Sequence, residues 1–247
     1  MLDRRQAVRQ LLNVLWPNRC PGCDCFLTAN EMVCPACAED MLLDHDACCH
    51  VCGKVACRCK EARFAYDRAV VSFAYAGATI PAVYRLKDSQ NTNFAHFAAE
   101  ILADRVKISP IYGVPDCVMS VPMHPSRRRK RGYDQAALIA KDMAERLDLP
   151  YRDDVLYRDR PGAVQHLLKN AAERAANVLS FGIRDVPLDG LRVLLVDDVL
   201  TTGSTLNRCA SLLKQNGAVW VVAAAAATTV PHALHNNAAK TPKEDPS

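Results

Sequence analysis

Ten of the chain's twelve cysteines fall between Cys20 and Cys59, and this crowding restricts the fold more than any other feature. Residues 18–60 hold few apolar side chains and cannot pack a core unaided. Disulfides or metal thiolates would brace them; the plainer alternative, a set of reduced buried thiols, fits poorly where so few apolar residues surround them. Disulfides need an oxidising compartment. The first residues, MLDRRQAVRQLLNVLWPNRC, carry an early acid and a broken apolar stretch, unlike a secretory signal. The longest apolar tract, 218–230, has 13 residues, against the roughly 20 that a membrane-crossing helix needs. The expectation is a cytoplasmic protein with no membrane insertion, whose cysteines bind metal.

Cys20-x2-Cys23 is followed ten residues later by Cys34-x2-Cys37, a spacing that places four sulfurs around one tetrahedral Zn²⁺. Cys49-x2-Cys52 and the tighter Cys57-x-Cys59 suggest a second site, so one or two zinc ions are expected. An interleaved pairing satisfies the same spacing. Cys48, His45 and His50 are rival ligands, and Cys25 is left over. Four thiolates leave no open coordination position, so such zinc is structural.

From Tyr66 onward the composition is that of a globular α/β domain; half of all residues are hydrophobic, enough for a sizeable core. Residues 4–15 read as a short helix ended by Pro17. Residues 68–77 read as a strand closed by Gly77, residues 117–122 and 191–196 as buried strands, and 218–230 as another. Apolar residues at helical spacing mark helices from Phe94 to Leu102, from Tyr133 to Leu147 and from Leu206 to Leu213. Cys117 and Cys209 fall on core positions and read as small hydrophobes. Strands alternating with helices imply a parallel sheet covered on both faces. The polar tail, 231–247, reads as disordered. The expected division is 1–62, 63–230 and 231–247.

The stretch VLLVDDVLTTGSTL, residues 193–206, drives a buried strand into paired carboxylates. Strand ends in an open α/β sheet meet the ligand crevice. Adjacent strand residues point to opposite faces, so Asp197 and Asp198 are expected to emerge where the chain turns. There they can hold the vicinal hydroxyls of a sugar, directly or through Mg²⁺. Thr201, Thr202, Gly203, Ser204 and Thr205 then form a small loop before a helix, a cradle for phosphate. The plainer alternative is that Ser204 or Thr205 merely caps the helix, although a cap needs one hydroxyl residue rather than four. Neither G-x-x-x-x-G-K-[ST] nor G-x-G-x-x-G occurs.

Net charge is only +4, so a local run matters more: Arg127, Arg128, Arg129, Lys130 and Arg131 are consecutive, between Pro125 and Gly132. As a loop facing the crevice they suit a pyrophosphate. As a solvated surface run or a nuclear address they bear on no crevice. His124 and His166 suit proton donation or packing equally.

The acidic stretch resembles the phosphoribosyl pyrophosphate (PRPP) loop of type I phosphoribosyltransferases. That resemblance implies that Asp197 and Asp198 contact ribose hydroxyls and that residues 201–205 hold the 5-phosphate. VPMHPSRRRKRGYDQAALIA resembles the signature of the ComF competence family through Gly132, Tyr133 and Gln135, with Asp134 in place of its usual Asn. QHLLKNAAERAANVL resembles a further segment through Gln165, Leu168, Glu173, Arg174, Asn177 and Val178. YRLKDSQN keeps Leu86 and Lys87 of a third. The family layout implies a type I phosphoribosyltransferase-like α/β fold, a parallel sheet flanked by helices, behind a small N-terminal zinc-ribbon domain with four-cysteine sites.

The implied ligand is PRPP with Mg²⁺, with Asp197, Asp198 and Arg174 catalytic and Arg174 or Lys169 on a lid. The implied role is DNA uptake, with single-stranded DNA and competence proteins, such as an uptake helicase or channel, as partners. The basic run, with Gly132 and Gln135, would then contact pyrophosphate or DNA. The alternative is a nucleotide-metabolism enzyme transferring phosphoribosyl to a base or amine. No catalytic base stands out, and the terminal AAAAATTV does not reveal an acceptor. A ligand-sensing regulator is a third reading, without a DNA-reading helix pair to support it.

Overall fold

The computed structural model describes residues 17–57, 59, 64–89, 91–159 and 180–231. The expected helix 4–15 and nearly all of the polar tail lie outside these residues, as do the segment carrying Lys169 and Arg174 and its neighbours Gln165 and His166.

Four parallel strands form the central sheet: β1 (Arg68–Ala74), β2 (Cys117–Ser120), β5 (Arg192–Leu200) and β6 (Trp220–Thr228), in the order β1-β6-β5-β2. Their side chains alternate between two cores. In β6, Val222, Ala224 and Ala226 enter one core, and Val221, Ala223 and Ala225 enter the other. The alanine run is thus the buried centre of the sheet, where small side chains let covering elements approach closely. Helices α3 (Asn93–Ile108) and α5 (Gln135–Leu147) cover the first face, and α6 (Ser204–Gln215) covers the second. Cys117 and Cys209 are buried in the second core, as expected of small hydrophobes.

Four features depart from the sequence reading. Helix α2 (Thr79–Asp88) follows β1, and an antiparallel pair, β3 (Leu156–Arg158) and β4 (Phe181–Ile183), packs over the second face. The basic run is not a loop. It is helix α4 (Pro125–Arg131), entered through Pro125, capped by the His124 ring accepting from the Ser126 N–H, and ended by Gly132 at φ 85°. A proline in the first turn and a left-handed glycine after the last make a helix here without apolar periodicity. Strand β5, expected to stop at residue 196, pairs with β6 as far as Leu200↔Thr228.

The cysteine block packs on the sheet. Cys20, Leu27, Val33, Cys37 and Met41 share the first core with Phe73 and Phe94. Helix α1 (Pro35–Met41) sends Asp40 to accept the Ala78 N–H at 2.6 Å, at the entry to α2. A Cβ at Gly77 would overlap that carboxylate, so the turn closing β1 requires glycine. Arg85 of α2 donates to the Gly22 carbonyl at 2.7 Å. Behind the other face, a Cβ on Gly53 would touch Ala69, Val71 and Leu200 at 3.1–3.2 Å.

Candidate functional site

The eight zinc-ligand candidates fall into two separate sets, Cys20/Cys23/Cys34/Cys37 and Cys49/Cys52/Cys57/Cys59, each with its sulfurs within 4.8 Å of one another. The pairing is sequential, not interleaved. Zn–S bonds of about 2.3 Å in a tetrahedron put sulfurs about 3.8 Å apart. The Cys23–Cys34, Cys49–Cys59 and Cys57–Cys59 separations are 3.7, 3.6 and 3.5 Å. These are far beyond a disulfide's ~2.05 Å, and each donor set fits one structural zinc. The Cys25 N–H leads in lowering Cys23 to about 6. Burial opposes Cys49, but the N–H groups of Cys52 and Val51 outweigh it and bring the thiol to about 7.

Cys48 stands outside both sets, buried and pushed up to about 11 by burial. His45 and His50 also stand outside. They approach Tyr112 Oη at 2.8 and 3.0 Å and gather with Asp46.

At the C-terminal ends of β1, β2 and β5 lies a cleft of about 920 Å³. Asp197, Asp198 and residues 201–205 line it, as do Arg127, Arg131 and Gln135. The acids do not wait for the turn. They sit inside β5, where alternation sends them to opposite faces. Asp198 meets Lys87 of α2 at 3.0 Å, with 22% of its side chain exposed. Burial opposes the Asp198 charge, but Lys87 outweighs it and holds the carboxyl below its usual value. Burial, then the neighbouring Asp198 charge, pushes Asp197 well above the carboxylate range. One acid is therefore ionised while the other resists ionisation.

This asymmetry has a testable consequence. A carboxyl whose folded pKa is raised favours the fold fully below its unfolded pKa, near 4, and loses that contribution as pH rises through the folded value. At neutral pH, Asp197 is therefore a cost. Asp197→Asn is expected to stabilise the protein by about 1 kcal/mol, or about 2–4 °C in Tm, at pH 7.5. The gain should shrink as pH is lowered toward 5. Differential scanning fluorimetry across that range checks both signs.

The hydroxyl loop follows directly. Thr202 Oγ1 lies 2.9 Å from Ser204 Oγ and accepts from the Ser204 N–H at 3.3 Å. The cap of α6 is Gly203, at φ 80°, with no capping side chain, so the plainer reading of Ser204 or Thr205 as the cap does not hold. The Gly203 Cα is also close to the buried Tyr66 hydroxyl, which would lie 3.2 Å from an added Cβ. Gly203→Ala is expected to cost about 1–2 kcal/mol through left-handed strain, read as a lower urea midpoint with unchanged slope.

Helix α4 divides the basic run. Arg127 and Arg131, one turn apart, face the cleft, whereas Arg128 faces a separate depression and Arg129 and Lys130 line neither. Burial, then Arg131, lowers Arg127. Gln135 is 1% exposed; its Oε1 accepts from Arg131 at 3.1 Å, and its Nε2 has no partner among the described residues. Asp134 accepts the N–H groups of Met123 and Ala137 at 2.9 and 3.1 Å, tying β2's exit to the start of α5. A carboxylate thus serves where the family's Asn was expected.

Sequence reasoning missed Lys87 and Arg158 as site residues. The Leu86-Lys87 resemblance signalled the first. Arg158 lines the cleft from β3, donating to Ser180 Oγ at 3.0 Å and stacking on Phe181. Tyr133, part of the signature, donates to the Leu86 carbonyl and so holds α2 beside the acids.

The family profile described as "Phosphoribosyl transferase domain" matches residues 134–244, and "Double zinc ribbon domain" matches residues 11–68. The "DNA utilization protein YhgH" of Salmonella typhi is 32% identical over 167 residues, 66% of this chain and 73% of that protein. The chain belongs to the ComF/YhgH family. "Competence protein ComFC" of Streptococcus pneumoniae is 28% identical over 200 residues, 81% of this chain and 82% of that one. A solved glutamine PRPP amidotransferase from B. subtilis is 22% identical and aligns with 53% of this chain and 26% of its own, at a TM-score of 0.37. The ComF fold here is a phosphoribosyltransferase-type parallel α/β sheet joined to an N-terminal double zinc ribbon. No helix among the described residues is long and apolar enough to cross a membrane.

Proposed function

We propose that this ComF-family chain binds PRPP, or a related phosphoribosyl ligand, with Mg²⁺ in the cleft and handles incoming single-stranded DNA during DNA uptake. The observation that carries the reading is the convergence of three ligand chemistries on one cleft. Carboxylates Asp197 and Asp198 suit ribose hydroxyls or a hard cation, the 201–205 loop suits a phosphate, and Arg127 and Arg131 suit a pyrophosphate. Lys87 occupies the outer oxygen of Asp198 and would be displaced, or shared, when a cation binds. The competence and DNA-utilization names of the relatives support the biological role.

The reading includes Arg174 as a contact contributed by the segment outside the described residues, a cytoplasmic location, and division of the chain at residue 62. Phosphoribosyl transfer is the second reading, favoured by cations that line the same cleft as the acids, where a departing pyrophosphate would meet them. A pyrophosphate-release assay with PRPP, Mg²⁺ and a panel of bases and amines separates the two. Binding without release supports the DNA-handling role; release with one acceptor supports transfer; neither binding nor release refutes both.

A further inference from the structure

On the other side of α4 from the cleft lies a second depression, of about 190 Å³, which no step of the proposed PRPP chemistry uses. Its walls come from α4, α5 and the β3–β4 pair. Three exposed cations line it, Arg128, Lys141 and Arg184, against one exposed carboxylate, Asp153. Arg152 also lines it but is already bound to Asp154 by two hydrogen bonds, at 2.7 and 3.1 Å.

Two aromatic rings stand among these cations. Tyr157 is 38% exposed, and its ring packs against the neighbouring strand: a Cβ on Gly182 would overlap its Cζ. Glycine at 182 therefore seats the ring and leaves it backed on one side by β4. The Arg184 guanidinium sits 5.7 Å from the Tyr157 centroid, and Lys141 Nζ sits 5.4 Å from that of Tyr151. Arg158, Met123 and Asp134 border both the depression and the large cleft, so the two are neighbours with a shared wall.

We propose that this groove is a nucleotide subsite for single-stranded DNA, with Tyr157 stacking an unpaired base and Arg128, Lys141 and Arg184 holding the flanking phosphates. The inference rests on the DNA-handling reading and gives it a location. Exposed cations interleaved with aromatic faces are the arrangement that binds single strands without reading sequence. A duplex keeps its bases stacked inside and cannot use the ring. An acidic protein could engage the cations but has no need of a backed aromatic platform, so the ring decides the partner. The shared wall places the groove beside the cleft that holds the phosphate loop.

The test is fluorescence anisotropy with a labelled oligothymidine of roughly 20 nucleotides, longer than a single-domain footprint, over a series of KCl concentrations. Lys141→Gln/Arg184→Gln is expected to flatten the log–log salt slope by about 0.7 for each phosphate no longer neutralised. Tyr157→Ala should weaken binding roughly tenfold, while Tyr157→Phe stays within about twofold and duplex DNA competes poorly. An oligonucleotide carrying 5-iodouracil should cross-link to Tyr157 under ultraviolet light. All these residues are exposed, and unchanged melting curves confirm folded variants.

If the unaltered protein binds the strand and all groove variants match it, the groove is not the site, although the DNA reading stands. If only the cation pair matters and Tyr157→Ala does not, the surface is a generic electrostatic one and the subsite is refuted. If the unaltered protein fails to bind at low salt, the DNA reading falls and the subsite with it.

Discussion

Removing zinc with a high-affinity chelator is expected to unfold more than the cysteine block. A structural zinc contributes on the order of 10–16 kcal/mol to a small finger at neutral pH, and the thiols that remain cannot replace it. Here the consequence spreads, because the first cysteine set lies in the same core as the sheet. Cys20, Cys37 and Met41 pack with Phe73 and Phe94. The same ribbon grips α2 through Asp40 and through the Gly22 carbonyl, and α2 carries Lys87. The second set lies behind the sheet, with Gly53 against Leu200, at the root of the hydroxyl loop. Elemental analysis of protein purified without chelator should find two zinc ions per chain. Chelation should abolish the cooperative melting transition near its original temperature and lower ligand affinity in parallel. Retention of both the transition and binding in zinc-free protein would contradict this coupling.

The second large effect concerns the acid pair. Asp197→Asn/Asp198→Asn is expected to reduce Mg²⁺-dependent binding of PRPP at least a hundredfold, since it removes both carboxyl groups that line the cleft. The fold should survive. The Asp197 carboxylate is a cost at neutral pH, and Asn keeps the oxygen that accepts the Asp198 N–H at 2.9 Å. Asp198→Asn alone leaves Lys87 without its anion, so the single variants should differ: Asp197→Asn stabilises, Asp198→Asn destabilises, and both weaken binding. Chemical denaturation beside ligand titration separates these outcomes. Equal effects of the two substitutions on stability would show that the asymmetry imposed by Lys87 is not real.

The sheet was legible from the sequence because each strand is built on a short apolar run and each long helix keeps a 3.6-residue period. The zinc sets were legible because ligand spacing is itself the signal. Helix α4 was not, since five consecutive cations carry no apolar period and its boundaries rest on His124 and Gly132. Helix α2 is short and contains Pro81 in its first turn, a weak helix signal that leaves the stretch unassigned. The β3–β4 pair has three residues per strand, too few for an alternating pattern. Within the cleft, Asp197, Asp198 and the loop are contiguous and could be read directly. Lys87 and Arg158 reach it from elements distant in sequence, and local patterns do not encode such meetings. The second groove was hidden for the same reason, because Lys141 sits on α5, Tyr157 on β3 and Arg184 just after β4.

Isothermal titration calorimetry of the zinc-loaded protein with PRPP in excess Mg²⁺, repeated with EDTA-treated ligand and with the double Asn variant, tests the central claim most directly. A saturable one-site isotherm at micromolar to submillimolar affinity, lost in both controls, is the predicted result. An isotherm without heat at millimolar PRPP, from a folded protein, would contradict it.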